Sequence, residues 1–227
     1  MAQEEASRIP PAELHWKRYN VPPRGIARPE EWDDSGRLSI DWSWPDVTEP
    51  EKKKLIKRWC DILPGLDRVQ TLWLHSRVPQ RLFDAACQMR TLEALWIHSS
   101  SVKDLTPLCQ VESLRFLNIG SSPQIRSIDP LATMTGLKWL QLENLKLITD
   151  LGPLAGLEGL DGLGFSGSLW LTQEVKTLKP LAGLTALKWL FRFDEIREAH
   201  RTMEANEAGG KMVVVHEKPS SEKIERA

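Results

Sequence analysis

The leucines of this chain return to the same phase every 22 or 23 residues, and few folds satisfy that rule. Leu72 and Leu74 begin the series, followed by Leu92, Leu95 and Ile97, then Leu114, Leu117 and Ile119. Leu137, Leu140 and Leu142 come next, then Leu160, Leu163 and Phe165, and a degenerate sixth unit holds Leu187 and Leu190. The central leucines stand at 72, 95, 117, 140, 163 and 190, in steps of 23, 22, 23, 23 and 27. A second landmark repeats in register: Pro107 with Leu108, Pro130 with Leu131, Pro153 with Leu154 and Pro180 with Leu181. Within each unit the last two apolar residues alternate with period two, so both point to one side of a short strand. One unit alone exposes that side to water. Units stacked rung on rung bury it and pair their strands in parallel. The prolines then start the turn that returns the chain.

These residues resemble the leucine-rich-repeat family, in its short, internalin-like bacterial form with a Pro-Leu pair on the convex side. The resemblance covers residues 66–193. It implies an α/β leucine-rich-repeat solenoid: a parallel β-sheet on the concave face, short helices or 3-10 turns on the convex face, and a cap at each end. The family places Asn three residues after the last strand leucine. Here that slot holds Arg77, Ser100, Ser122, Leu145 and Ser168. The resemblance therefore implies a ladder built partly from hydroxyls and interrupted at Arg77 and Leu145.

The ends of the series read as caps. Residues 36–65 form a strand-helix unit: Leu38, Ile40 and Trp42 alternate, and Thr48 with Glu51 has capping-box spacing, with Pro50 in the first turn. Leu55, Ile56, Trp59, Cys60 and Leu63 then recur at helical spacing until Pro64 and Gly65 stop the helix, and Lys52, Lys53 and Lys54 form its solvated face. Residues 1–35 hold five prolines with Trp16 and Trp32, and read as an arm, partly extended or flexible. Residues 194–216 read as a closing helix bearing Ile196, Ala199 and Met203, then an edge strand at 212–215. The charged stretch 217–227 reads as a flexible tail.

Composition excludes several classes. The 227 residues carry 30 basic and 31 acidic side chains, so nucleic acid is not the expected partner. No apolar run approaches the roughly 20 residues of a membrane span. Residues 1–11 lack the apolar core of a secretory signal. The expectation is a cytoplasmic monomer. Cys60, Cys87 and Cys109 are odd in number and suit a reducing compartment rather than disulfides or zinc. Cys87 and Cys109 match Ala132, Ala155 and Ala182 of later units, and read as small residues buried under the convex turn. There is no nucleophile elbow, P-loop, zinc helix or dinucleotide fingerprint, so the chain reads as a non-enzyme without cofactor or metal.

Strand parity sends three columns of side chains to the concave face. The first holds Thr71, Ala94, Phe116, Trp139, Gly162 and Trp189, and the second Trp73, Trp96, Asn118, Gln141, Gly164 and Phe191. The third holds His75, His98, Gly120, Glu143 and Ser166. The expectation is a patch of exposed aromatics that marks a contact site. Its partner-binding residues are Trp73, His75, Trp96, His98, Phe116, Asn118, Trp139, Gln141, Glu143, Trp170 and Trp189. Gly159, Gly162, Gly164 and Gly167 read as a notch for a partner or as a bulge, and Trp170 as the tip of a projecting loop. Glu143, two rungs from His98, reads as too far to complete a metal site. The imidazole pair is left with ordinary hydrogen bonds or pH sensitivity.

The functional expectation is a protein-binding scaffold, as a bacterial adaptor or a toxin-neutralising immunity-type protein. Two alternatives are a structural or regulatory domain whose face is covered by its own N-terminal arm, and a delivered effector.

Overall fold

A computed structural model describes residues 21–43, 47–167, 173–191 and 212–213 of the chain. Among the described residues, eight parallel strands form one sheet in sequence order. They are β1 (Arg37–Ile40), β2 (Thr71–Leu74), β3 (Ala94–His98), β4 (Phe116–Gly120), β5 (Trp139–Glu143), β6 (Gly162–Ser166), β7 (Trp189–Phe191) and β8 (Met212–Val213). The register follows the leucine count: Leu72, Leu95, Leu117, Leu140, Leu163 and Leu190 are successive partners. Because the repeat fixes phase, each central leucine falls on its neighbours, and those from Leu72 to Leu163 are buried.

The return path changes along the stack. Helix α1 (Glu49–Ile62) follows β1 and helix α2 (Gln80–Ala86) follows β2. Among the described residues, the returns that follow β3, β4, β5 and β6 carry 3-10 turns: Thr106–Gln110, Asp129–Thr133, Gly152–Leu154 and Lys179–Gly183. Each of these turns carries its proline in the first turn, where the missing N–H costs nothing. Leu108, Leu131 and Leu154 point inward from these turns and close the convex side of the core.

The cysteine equivalence breaks where the helices end. Cys87, which caps α2, is buried, but Cys109, Ala132, Ala155 and Ala182 are exposed. α2 packs against α1. The flatter 3-10 turns leave the matching position at the surface. Only Cys87 therefore fits the buried-residue expectation, and burial pushes its thiol far up.

The first rung is closed at its open edge. Ile26 bridges to Ile40 in parallel, with Ile26 N–H donating to the Ser39 carbonyl (2.9 Å) and Asp41 N–H to the Ile26 carbonyl (3.0 Å). An edge strand that would otherwise invite pairing is thus satisfied. The Trp59 indole donates to the Ala27 carbonyl at 2.9 Å and ties α1 to the same segment. The Thr48 hydroxyl accepts from Glu51 N–H at the start of α1.

At the strand exits, Ser76, Ser99, Ser121 and Asn144 all take positive φ, from 46° to 69°. This bend lets the ladder run on past the strands: Ser99 N–H donates to the Gly120 carbonyl, Ser121 N–H to Glu143 and Asn144 N–H to Ser166. One residue on, the hydroxyl ladder is present. Ser100 Oγ and Ser122 Oγ lie 2.6 Å apart, and Ser122 also donates to the Gly120 carbonyl. Leu145 interrupts it by joining the core. There the Gln173 amide donates to the Leu145 and Ile148 carbonyls at 3.1 and 2.8 Å.

Candidate functional site

The three columns fall in register. Thr71, Ala94, Phe116, Trp139, Gly162 and Trp189 are successive partners, as are Trp73, Trp96, Asn118, Gln141, Gly164 and Phe191. Trp73 therefore stands beside Trp96, and Phe116 beside Trp139. β1 adds a rung that the leucine count did not reach. Arg37 pairs with Thr71 and Ser39 with Trp73, and Asp41 follows on beside His75. Applying the same parity to Leu38 and Ile40 would have placed Arg37, Ser39 and Asp41 on this face.

The aromatic side chains are not laid out in open solvent. Trp73 is only 1% exposed and Trp139 only 7%, while Trp96 and Phe116 are half-buried. Neither Trp73 nor Trp139 belongs to the leucine core. Part of the reason is that side chains lean onto the next rung. A Cβ placed on Gly162 would stand 1.9 Å from both Cε3 and Cζ3 of Trp139. A Cβ on Gly164 would stand 3.1 Å from Cγ of Gln141. The expected notch at β6 is thus filled from within by the side chains of β5. The Arg37 guanidinium lies 5.2 Å from the Trp73 ring centroid, a cation–π contact.

His98 and Glu143 converge in the same manner. A Cβ on Gly120 would meet His98 Cδ2 at 2.6 Å, His98 Nε2 at 3.4 Å and Glu143 Oε2 at 3.6 Å. Two rungs separate these residues, yet the glycine between them lets ring and carboxylate share the space above it. The other ring nitrogen of His98, Nδ1, lies 3.0 Å from the Ser99 hydroxyl. Among the described residues no group of three or more His, Cys, Asp or Glu side chains is arranged to hold a metal ion.

The row continues to Asp41. Burial alone would raise the Asp41 carboxyl. The Ser43 hydroxyl and backbone N–H, the Ser76 hydroxyl and the nearby His75 outweigh it and hold the group below its ordinary range. Burial lowers His75, with His98 adding repulsion and Asp41 opposing both. The third column therefore runs from the acid Asp41 through a neutral-leaning His75 to Glu143, with Ser166 on the rung beyond.

Three polar atoms of the second column are buried without hydrogen-bond partners: Trp73 Nε1, Trp96 Nε1 and Asn118 Oδ1. They sit on consecutive rungs. Trp170 lies outside the described residues, and Trp189 is placed by its backbone in β7.

Comparison with protein-family models and with curated proteins found no match. Solved structures did match. An internalin, InlF, from Listeria monocytogenes aligns with 67% of this chain at 25% identity and a TM-score of 0.51. The chain is a leucine-rich-repeat solenoid. It spans 39% of that internalin's length. Internalin C2 of the same organism aligns with 60% of the chain, and the alignment covers 61% of its own length, at 25% identity and a TM-score of 0.47. Solenoids of this type curve so that their parallel sheet becomes one extended concave surface, which is a general protein-interaction platform. No helix among the described residues is long and apolar enough to cross a membrane.

Proposed function

We propose that the solenoid is a non-catalytic protein-binding scaffold that engages its partner on the concave face. The observation that carries this reading is the row Trp73, Trp96 and Asn118, with two indole donors and an amide oxygen shielded on consecutive rungs and unsatisfied. Leaving a buried polar group unpaired costs about 1–3 kcal/mol, so a face with three of them gains from a ligand that repacks it. Half-buried Trp96 and Phe116 supply apolar area, and Glu143 with His98 supplies a polar margin. Hot spots combine these two features. With 30 basic and 31 acidic residues the composition favours no nucleic acid, and we take the partner to be a protein. A cytoplasmic adaptor, or an immunity-type protein that masks a toxin's surface, needs nothing beyond such a face.

The test is quantitative capture from extracts of the native host with the full chain and with Trp96→Ala. Trp96 is the better probe than Trp73, whose burial makes its truncation a stability change as well. A protein retained by the native chain, lost with Trp96→Ala and retained by the convex variant Arg126→Ala supports the reading. Equal capture by all three, with equal melting temperatures, removes it.

A further inference from the structure

We infer that the β4–β6 end of the concave face is a site for an arginine side chain of the partner protein. The inference rests on the reading of that face as the binding surface and adds the chemistry of the partner's anchor. Its first support is a carboxylate without a cation. Glu143 is half-buried on β5, and among the described residues it forms no ion pair. Its partner on β4, Gly120, brings no side chain. The space above that glycine lies between the His98 ring and Glu143 Oε2, the latter 3.6 Å from where a Cβ would stand. When His98 Nδ1 donates to the Ser99 hydroxyl, Nε2 on the Gly120 side is a further acceptor.

The second support is a set of orphaned oxygens around Glu143. Asn118 Oδ1, Asn144 Oδ1 and Ser166 Oγ are buried without hydrogen-bond partners, and Asn118 and Ser166 are only 7% and 6% exposed. Ser166 is the direct strand partner of Glu143, Asn144 follows Glu143 at the strand exit, and Asn118 precedes Gly120 by two residues on the same face. Asn144 already donates from its side chain to Ser121 Oγ and from its backbone to the Ser166 carbonyl, so the oxygen is what it has left. The other orphans of the face, Trp73 Nε1 and Trp96 Nε1, are donors on β2 and β3. Asp41, beside β1, already accepts from the hydroxyls of Ser43 and Ser76. The face is therefore polarised, with spare donors at β2–β3 and spare acceptors plus a negative charge at β4–β6.

A group that satisfies the acceptor end is cationic, rich in donors and free of acceptors. A guanidinium meets all three conditions, with a fixed charge and five N–H donors in a planar fork. One edge of the fork suits the two carboxylate oxygens and leaves donors for a neighbouring oxygen. An ammonium brings three donors and holds its water more strongly. The orphaned oxygens are shielded, so the guanidinium reaches them by displacing the side chains that cover them. The gain is the pairing of acceptors that the free chain leaves unpaired.

The experiment titrates N-acetyl-arginine methylamide, at millimolar concentrations, into the isotope-labelled full chain and follows amide shifts by NMR. Shifts are expected at the side-chain amides of Asn118 and Asn144 and the backbone amides of Glu143 and Ser166. Glu143→Gln, with an unchanged melting temperature, should weaken binding at least about tenfold, as should the neutral citrulline analogue of the probe. The lysine analogue should bind more weakly than arginine. No shifts, equal shifts with citrulline or lysine, or equal binding by Glu143→Gln overturns the inference. A second measurement reads the free chain. Ser166→Ala should unfold at the same or a higher urea concentration, because its hydroxyl is unpaired; a lower midpoint overturns the premise. Arginine binding with partner capture indifferent to Trp96→Ala would remove the partner reading and leave the guanidinium site. No arginine binding with capture still lost in Trp96→Ala would do the reverse.

Discussion

The indole of Trp139 occupies the space that a side chain on Gly162 would need, with two ring carbons 1.9 Å from the position of a Cβ there. The two residues are direct partners on β5 and β6. Gly162→Ala must push the ring off the sheet, and overpacking of this kind costs about 1–3 kcal/mol. Urea unfolding should show that loss. Gly156→Ala is the control, since a Cβ there meets nothing within 4 Å, and its effect should stay within about 0.5 kcal/mol. Equal stability of both variants would contradict the close approach.

The Ser100–Ser122 contact makes a second prediction. Removing Ser122 leaves the buried Ser100 hydroxyl without an acceptor, at about 1–3 kcal/mol, whereas removing Ser100 leaves Ser122 its bond to the Gly120 carbonyl and costs about 0.5–1.5 kcal/mol. Ser100→Ala and Ser122→Ala should each destabilise, and the double variant should lose less than the sum. A double-mutant cycle in urea measures the coupling. Strict additivity would mean that the two hydroxyls do not interact.

The phase of the rungs was legible because two independent signals, period-two alternation and a 22–23 residue return, are written in the same leucines. Parity also placed Trp73 beside Trp96 correctly. It could not report how far the rings would be covered, because parity gives a face and not a direction of lean. The missing signal was nonetheless present: His98 precedes Gly120, Trp139 precedes Gly162 and Gln141 precedes Gly164, each in one column and one repeat apart. A large residue followed by glycine at the repeat interval marks a side chain that lies on its neighbour. The exposed position of Cys109 was illegible for a different reason. Its equivalence to Cys87 holds in sequence but not across the change from helix to 3-10 turn.

The pH dependence of stability follows from His75 and Asp41. Burial lowers His75, so the folded protein binds fewer protons there than the unfolded chain, and stability falls on acidification. The fall begins near the ordinary imidazole value, about 6.5, and ends at the lower value of the folded state. His75→Gln should flatten that part of the curve. Asp41, held low by Ser43 and Ser76, contributes stability above its ordinary value, and that share is lost only as pH drops through its depressed one. Urea midpoints measured across acid pH test both. Stability that rises from neutral pH toward pH about 5.5 would contradict the lowered imidazole.

Thiol chemistry should separate the three cysteines. Cys109 is exposed on the convex side, beside a hollow of about 160 Å³ lined by Glu112, Thr133 and Met134. Burial raises both Cys60 and Cys87, the latter much further. A thiol reagent at neutral pH should label Cys109 first and Cys60 slowly, and Cys87 only on unfolding. Rapid labelling of Cys87 in the folded chain would contradict its buried place at the end of α2.

The central claim is that the concave face is where a partner sits. Hydrogen–deuterium exchange of the solenoid with its captured partner bound reads this directly. Protection should gather in peptides spanning residues 94–98, 116–120 and 139–143, and spare the convex turns at 106–110 and 129–133. Protection concentrated on the convex turns, with the strand peptides unchanged, would contradict it.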